Sequence, residues 1–430
     1  IINTAIPAIA HSLNEDPLSM HSVVVAYVLS VAACIPLSGW LADRFGVRNT
    51  FFAAIVIFTF ASLGCAFSSS LNELLIYRVI QGIGGAFLLP VGRLAMLKII
   101  PRTQFLAAMS LMSLAGLIGP LIGPTLGGWM VEYMTWHWIF LINIPMGVLG
   151  VFVTFKAMPN VKETTVKKFD FSGFILLVFA MVGLSLGIEN LANKQSAAWI
   201  SIALIITGVV ATLIYAFHAI THQNALFRAS LFKNRIFTIG ILGNFFARFG
   251  GNALPFLLPL MLQVAFGFDP FITGLLMIPT VLGSLASKPI IRPLIQRFGY
   301  RQVLLINTLL VGVCIASFAL HTADTPTWFR LIHFFIFGVL NSLQFVSMNT
   351  LTLKDLSQQN ASSGNSFLSM IMMLSMSLGV ALAGTLVNVF TQHLGTANTL
   401  QAFNYTLLCL ASINIIAALI FWQIPKNTPI

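Results

Sequence analysis

Charged residues are scarce: they make up 8% of the 430 residues, against 58% hydrophobic, whereas a soluble globular domain carries about a quarter charged residues. That shortage excludes an ordinary water-soluble domain. Acid is the scarcer sign, 11 Asp+Glu against 22 Lys+Arg. In so apolar a chain the surplus of +11 reads as loop anchoring at a cytoplasmic membrane surface, with no nucleic-acid partner. Cysteine is nearly absent, and Cys34, Cys65, Cys314 and Cys409 all sit in apolar runs, which argues against a disulfide framework or a zinc site. The 8 histidines are scattered, and only His218 and His222 share helical spacing, so no metal or other cofactor is expected. A cleavable signal peptide is also missing. The chain opens at Ile1 inside an apolar segment too short to span, so its first span reads as truncated, with any acidic residue in the missing start lying upstream.

Long hydrophobic runs are what the chain has. About 20 apolar residues cross a bilayer, and Gly, Pro, Asn and charge divide the sequence near 1–12, 18–41, 50–67, 71–97, 103–131, 137–158, 170–191, 198–220, 236–266, 270–292, 301–320, 327–352, 362–391 and 399–423. The reading is an all-α membrane protein of fourteen spans. Loop charge agrees with that division. Arg44 and Arg48, then Arg93, Lys98 and Arg102, then Lys156, Lys162, Lys167 and Lys168, then Arg228, Lys233 and Arg235 fall at alternate connections. Lys288, Arg292, Arg297 and Arg301, then Lys354 and Lys426 continue the pattern, while Glu15, Asp16, Glu132, Glu189, Asp269 and Asp324 fall on the other side. The positive-inside rule then puts both termini in the cytoplasm. Lys194, Arg78, Arg248 and Arg330 break the pattern. An arginine within a span costs about 2.5–3.5 kcal/mol and turns to a polar interior rather than lipid.

Leu41-Ala-Asp43-Arg44-Phe45-Gly46-Val47-Arg48 recurs in the second half as Leu294-Ile-Gln296-Arg297-Phe298-Gly299-Tyr300-Arg301. A repeat on the same topological side implies two parallel six-helix bundles that handle substrate between them. The expected division is residues 1–158 for the first bundle, 159–235 for two inserted helices, and 236–430 for the second bundle. Gln296 stands where the first copy has Asp43, so the ionic function of this loop is expected in the first half.

Three further stretches carry mechanism. Gly39-Trp-Leu-Ala-Asp43-Arg44-Phe-Gly46-Val-Arg48 places a carboxylate among arginines at the cytoplasmic mouth, where it accepts hydrogen bonds and latches an inner gate; Arg297 and Arg301 are its counterparts. Arg78-x-x-Gln81-Gly82 lies in the fourth span. Gly116-x-x-Gly119-Pro120-x-x-Gly123-Pro124-x-x-Gly127-Gly128 lines one helix face with bare backbone, and its prolines free carbonyls. These stretches resemble the signature loop, the fourth-helix motif and the antiporter motif of the major facilitator superfamily, in its fourteen-helix drug:proton antiporter branch. Trp136-His137-Trp138 with Asn143, Asn3-x-x-x-Pro7, and Asp170-x-x-Gly173 resemble further motifs of that branch, and the likeness runs over essentially the whole chain. It implies a major facilitator fold and a proton-coupled exporter of drugs or other small molecules, with Arg78 adjusting a nearby carboxylate during proton coupling.

Arg248 lies deep in the ninth span, and with Gln81, Asn3 and Asn252 it joins Arg78 as a candidate for the substrate and proton cavity. With Arg330 the arginines are expected to make the route electropositive, which admits anionic organic acids or their metal chelates, such as iron-citrate or siderophores, as substrates. A membrane-embedded enzyme needs convergent carboxylates, histidines or a metal at one depth. A channel needs a repeated pore ring. Neither pattern is present, so the expected partners are a small-molecule substrate, protons and the lipid bilayer, for a monomeric transporter.

Overall fold

The computed structural model describes residues 2–99, 119, 122–163, 168–191, 198–222, 224–356 and 358–425. Among the described residues every regular element is helical. The first half holds α1 (Ile2–Leu13), α2 (His21–Cys34), α3 (Leu37–Phe45), α4 (Val47–Ala66), α5 (Leu71–Ile99), α6 (122–133), α7 (Trp138–Leu141) and α8 (Asn143–Ala157). The inserted pair is α9 (Phe171–Asn190) and α10 (Ala198–Thr221). The second half holds α11 (Arg235–Phe246), α12 (Arg248–Val264), α13 (Pro270–Ser317), α14 (Thr327–Lys354), α15 (Gln358–Leu394) and α16 (Thr399–Trp422). Polar caps set several starts. Asp170 accepts from the Gly173 N–H at the head of α9, and Asn234 accepts from the Ile236 and Phe237 N–H groups at the head of α11.

Among the described residues, eleven segments are long and apolar enough to cross a membrane. One of them, Pro270–Leu320, holds two spans. Gly299 breaks it at φ 74°, ψ 162°, so the two spans expected at 270–292 and 301–320 meet in one sharp turn rather than across a loop. With α1 and α6 as the described parts of two further spans, the chain is consistent with fourteen. The repeat is visible in the backbone as well as in the sequence. Gly46, at φ 92°, ψ 150°, takes the same left-handed turn between α3 and α4 that Gly299 takes within α13, a conformation that favours glycine.

The end of the bundle that carries Arg44, Lys98 and Arg235 is the basic face. The end that carries Asp16, Glu132, Asp269 and Asp324 is the far face. The halves touch where α1 lies on α12 and α2 lies on α15, while α9 packs on both α2 and α15.

Candidate functional site

At the basic face Asp43 is ion-paired, but not with the arginines expected to hold it. Lys98, at the end of α5, donates to Asp43 Oδ1 at 2.9 Å and to Glu163 Oε1 at 2.7 Å. The arginines expected to hold Asp43 lie on rings instead. Arg44 sits over Trp40 at 5.1 Å, Arg48 over Phe155 at 5.2 Å, and Arg297 over Phe298 at 5.5 Å. Adjacent helix positions point about 100° apart, so Arg44 turns away from the side on which Asp43 meets α5.

Residues 160–163 strap this loop down, which nothing in the loop's own sequence announces. Val47 N–H donates to the Val161 carbonyl at 3.0 Å, and Glu163 N–H to the Asp43 carbonyl at 3.1 Å. Asn160 bonds to the Phe45 carbonyl and the Asn49 N–H, and a Cβ on Gly46 would meet its Cγ at 2.6 Å. In the second half Gln296 replaces Asp43, and Lys354 at the end of α14 lies over the Tyr300 ring at 5.3 Å. Gly39, at the head of the motif, faces open space.

Burial pulls the Lys98 ammonium down, but its bonds to Asp43 and Glu163 outweigh that and hold it above its ordinary value. A raised folded value gives stability that is complete below the unfolded value of about 10.4 and is lost only as pH rises beyond it. The lysine therefore keeps its charge in these ion pairs across the physiological range. Because the pair is partly exposed, Lys98→Met is expected to lower stability by less than about 1 kcal/mol. Its amide exchange at Val47 and Glu163 should nevertheless rise severalfold; unchanged exchange at both would show that the strap does not depend on the lysine.

The buried arginines are each held by neutral partners. Arg78 donates from Nε to the Val23 carbonyl at 3.0 Å and from Nη1 to Gln81 Oε1, and lies 4.3 Å over Tyr27. Gln81 passes the network to Ser62 Oγ at 2.7 Å, which Asn143 also reaches at 3.3 Å. Arg248 donates to Asn244 Oδ1 at 2.9 Å and Asn349 Oδ1 at 3.0 Å, and lies 4.3 Å over Phe345. No carboxylate among the described residues is hydrogen-bonded to either guanidinium, so the coupling partner expected for Arg78 is not beside it here. Asn252 is half-buried one turn along from Arg248.

Arg330 does not join the route. It donates to the Thr322 and Ala323 carbonyls and lies over Phe268 at 4.7 Å, which ties down the far-face loop before α14. His321 in that loop bonds through Nε2 to His333 Nδ1 at 2.8 Å. Burial first, then His333 and Arg330, push its imidazole down to about 4. A lowered folded value gives stability that is present above the unfolded value near 6.5 and is lost as pH falls toward about 4. Amide protection of residues 321–325 should accordingly fall over that window when the far side is acidified. His321→Gln should flatten the response; a response that persists would assign it to another group.

The far face is where the halves join. A Cβ on Gly128 would come within 2.9 Å of Phe271 Cα, and one on Gly274 within 2.8 Å of Thr125 Cα, so α6 and the start of α13 meet backbone on backbone. Thr125 Oγ1 donates to the Gly274 carbonyl, and Glu132 Oε2 accepts from the Phe271 N–H at 3.1 Å. Gly123 and Gly127 are buried on the same helix, Pro124 supplies a carbonyl to the contact, and Gly119 faces open space. Gly116 and Pro120 lie outside the described residues. Asn3 closes the α1 side. Pro259 has no N–H to give the Pro255 carbonyl one turn back, and Asn3 Nδ2 supplies that donor at 2.9 Å. Gln263 returns a bond to the Thr4 carbonyl at 3.0 Å.

Sequence reasoning missed Glu163, Asn160, Tyr27 and Ser62 as partners. Asn143 carried a signal beside Trp136-His137-Trp138, and Asn244 and Asn349 read only as polar span positions of the kind that orient a ligand or bond across helices. An apolar cavity of about 310 Å³, lined by Phe51, Ala95, Ile99, Val153 and Met158, lies within the first half and touches none of the arginines.

Comparison with known proteins agrees with this architecture. The model of the Major Facilitator Superfamily matches residues 1–379 and 240–429. A Salmonella dublin protein provisionally named multidrug resistance protein MdtD is 50% identical over 433 residues, covering 100% of this chain and 92% of the relative. Its Escherichia coli O6:H1 counterpart is 49% identical, covering 100% and 91%. Among solved structures, a D-xylose-proton symporter superposes with TM-score 0.69 at 16% identity, over 99% of this chain and 94% of that one. The POT family transporter PepTSo gives 0.70 at 14%, over 98% and 93%.

Proposed function

This chain belongs to the Major Facilitator Superfamily, a family of membrane transporters rather than enzymes, and on that premise we propose that it is a proton-coupled exporter working by alternating access. It resides in a bacterial inner membrane with the basic face and both termini toward the cytoplasm, and protons entering the cell drive a small molecule out. The observation that carries the reading is the far-face seam. The stretch that resembles an antiporter motif meets the opposite half through Gly128 and Gly274, backbone against backbone, and Asn3, Gln263, Thr125 and Glu132 bond across the halves toward the same end. The Lys98 latch, by contrast, links residues of the first half alone. We read this as the arrangement of an inward-facing transporter, whose halves meet at the far face. Alternating access then requires the glycine contact to open and the cytoplasmic side to close.

Arg78 and Arg248 bring positive charge without a hydrogen-bonded carboxylate, which supports organic anions or their metal chelates beside lipophilic cations as substrate classes to test. The experiment loads cells lacking their own exporters with ethidium, with citrate, or with ferric citrate, and follows efflux by the full-length protein with and without a protonophore. Efflux of at least one probe that collapses with the protonophore is expected. Efflux unaffected by the protonophore would refute proton coupling, and faster loading of the cells would refute export.

A further inference from the structure

Arg78, Arg248 and Arg330 each lie over an aromatic ring, and the ring beneath Arg248 is the exposed one. Tyr27, beneath Arg78, is packed on Gly85 of α5, where a Cβ would come within 2.8 Å of its hydroxyl. Phe266 and Phe268, beneath Arg330, are partly buried. Phe345 lies 4.3 Å from the Arg248 guanidinium and is 42% exposed, although Arg248 itself is 4% exposed.

Helix geometry fixes the direction of that exposure. Ile332 and Ile336 are exposed on the side of α14 that an apolar span turns to lipid. Phe345 follows Ile336 by nine residues, about two and a half turns at 3.6 residues per turn, so it stands on the opposite side. The helices that α14 packs on, α11, α13 and α15, all belong to the second half. The side opposite its lipid stripe therefore turns to the space between the halves, where such a fold handles substrate. With the guanidinium over one face of the ring, the other face is the one left open. Gly251 of α12 permits this approach. A Cβ there would meet Asn341 Oδ1 of α14 at 2.6 Å, so bare backbone lets α12 close on α14 and brings Arg248 against Phe345. Arg248 also stands near the middle of the 30-residue segment Arg235–Val264, the depth at which substrate is held. Its hydrogen bonds go to the neutral amides of Asn244 and Asn349, which leave its charge uncancelled.

The geometry points to the open face of Phe345 as a stacking platform for flat aromatic anions, with Arg248 behind the ring attracting their charge. The inference names a preferred substrate class for the proposed exporter and rests on that reading. A planar ring gains an offset stack on Phe345 that an aliphatic ring does not. A carboxylate on that ring is drawn to the guanidinium through a medium less screening than water. A cation on the open face is attracted by the π cloud but repelled by the guanidinium behind it, so the platform is a poor cation–π site. Aliphatic anions keep the charge attraction and aromatic cations keep the stack. Flat aromatic anions combine the two. Phe345 is thus the specificity-determining residue, and Arg248 acts through it.

The test is equilibrium dialysis of the full-length protein in detergent against three probes. Naphthoate carries the flat ring and the negative charge, cyclohexanecarboxylate the charge without the flat ring, and naphthylmethylammonium the flat ring with the opposite charge. Naphthoate should bind about tenfold tighter than either of the others. Phe345→Leu and Phe345→Ile, which keep an apolar cover on Arg248, should bring naphthoate and cyclohexanecarboxylate within about twofold of each other. Phe345→Trp should restore the gap, and Arg248→Gln should abolish the preference for naphthoate over naphthylmethylammonium. Naphthoate that binds no tighter than the other probes, or a naphthoate preference that survives both aliphatic variants, overturns the platform. The expected ratios in a protein whose efflux ignores the proton gradient would overturn the proposed function and leave the platform standing.

Discussion

Leucine in place of Gly128 is expected to prop the far face open and to reduce transport roughly a hundredfold. The Gly128 Cα faces the Pro270–Phe271 backbone of α13, and backbone, unlike the end of a side chain, has no rotamer by which to yield. Overpacking of this kind costs about 1–3 kcal/mol, and at about 1.4 kcal/mol per tenfold the upper end depletes the closed state by about two orders of magnitude. A cysteine at Thr327 should become faster to label from outside in the same variant. Gly39→Ala is the matched control. Nothing lies within 4 Å of that position, and alanine improves helix propensity by about 1 kcal/mol, so transport should be unchanged. Equal losses in the two variants would mean that the glycine groove is not an interface between halves.

Arg78→Leu is expected to lower stability by about 1–3 kcal/mol, because it leaves the buried Val23 carbonyl and Gln81 without their donor, and to abolish transport. It strips Gln81 of its guanidinium donor and removes the cation from Tyr27. Arg78→Lys should recover only part of the loss, because an ammonium cannot span the Val23 carbonyl and Gln81 as the planar fork does. Adding Gln81→Leu to Arg78→Leu should restore part of the melting temperature, since removing both partners leaves fewer unpaired polar groups. Stability that returns without transport would assign Arg78 to the transport cycle. Stability and transport returning together would make the network a packing device.

Patterns that the local backbone decides were legible in the sequence. Phe-Gly at positions 45–46 and 298–299 forced the same left-handed turn twice, so the internal repeat and the two-bundle fold could be read from eight residues. The glycine ridge of α6 was legible as a packing surface, because its spacing alone bares one helix face. Its partner was not, because Pro270–Gly274 meets it only after the halves assemble. The same limit governs the charges. Asp43 announces a latch, but Lys98 and Glu163 come from a helix end and a strap distant in sequence. Arg330 reads as a membrane arginine by position, yet its side chain reaches back to loop carbonyls. The electropositive route expected from three arginines therefore rests on two.

The most direct test reconstitutes the full-length protein in proteoliposomes with a trapped pH dye, imposes no other gradient, and adds ethidium, citrate and ferric citrate in turn. The account predicts that one of them drives protons across the membrane against its own movement, and that reversing an imposed pH gradient reverses its direction. Substrate movement with a silent dye would contradict proton-coupled export and leave a facilitator of the same fold.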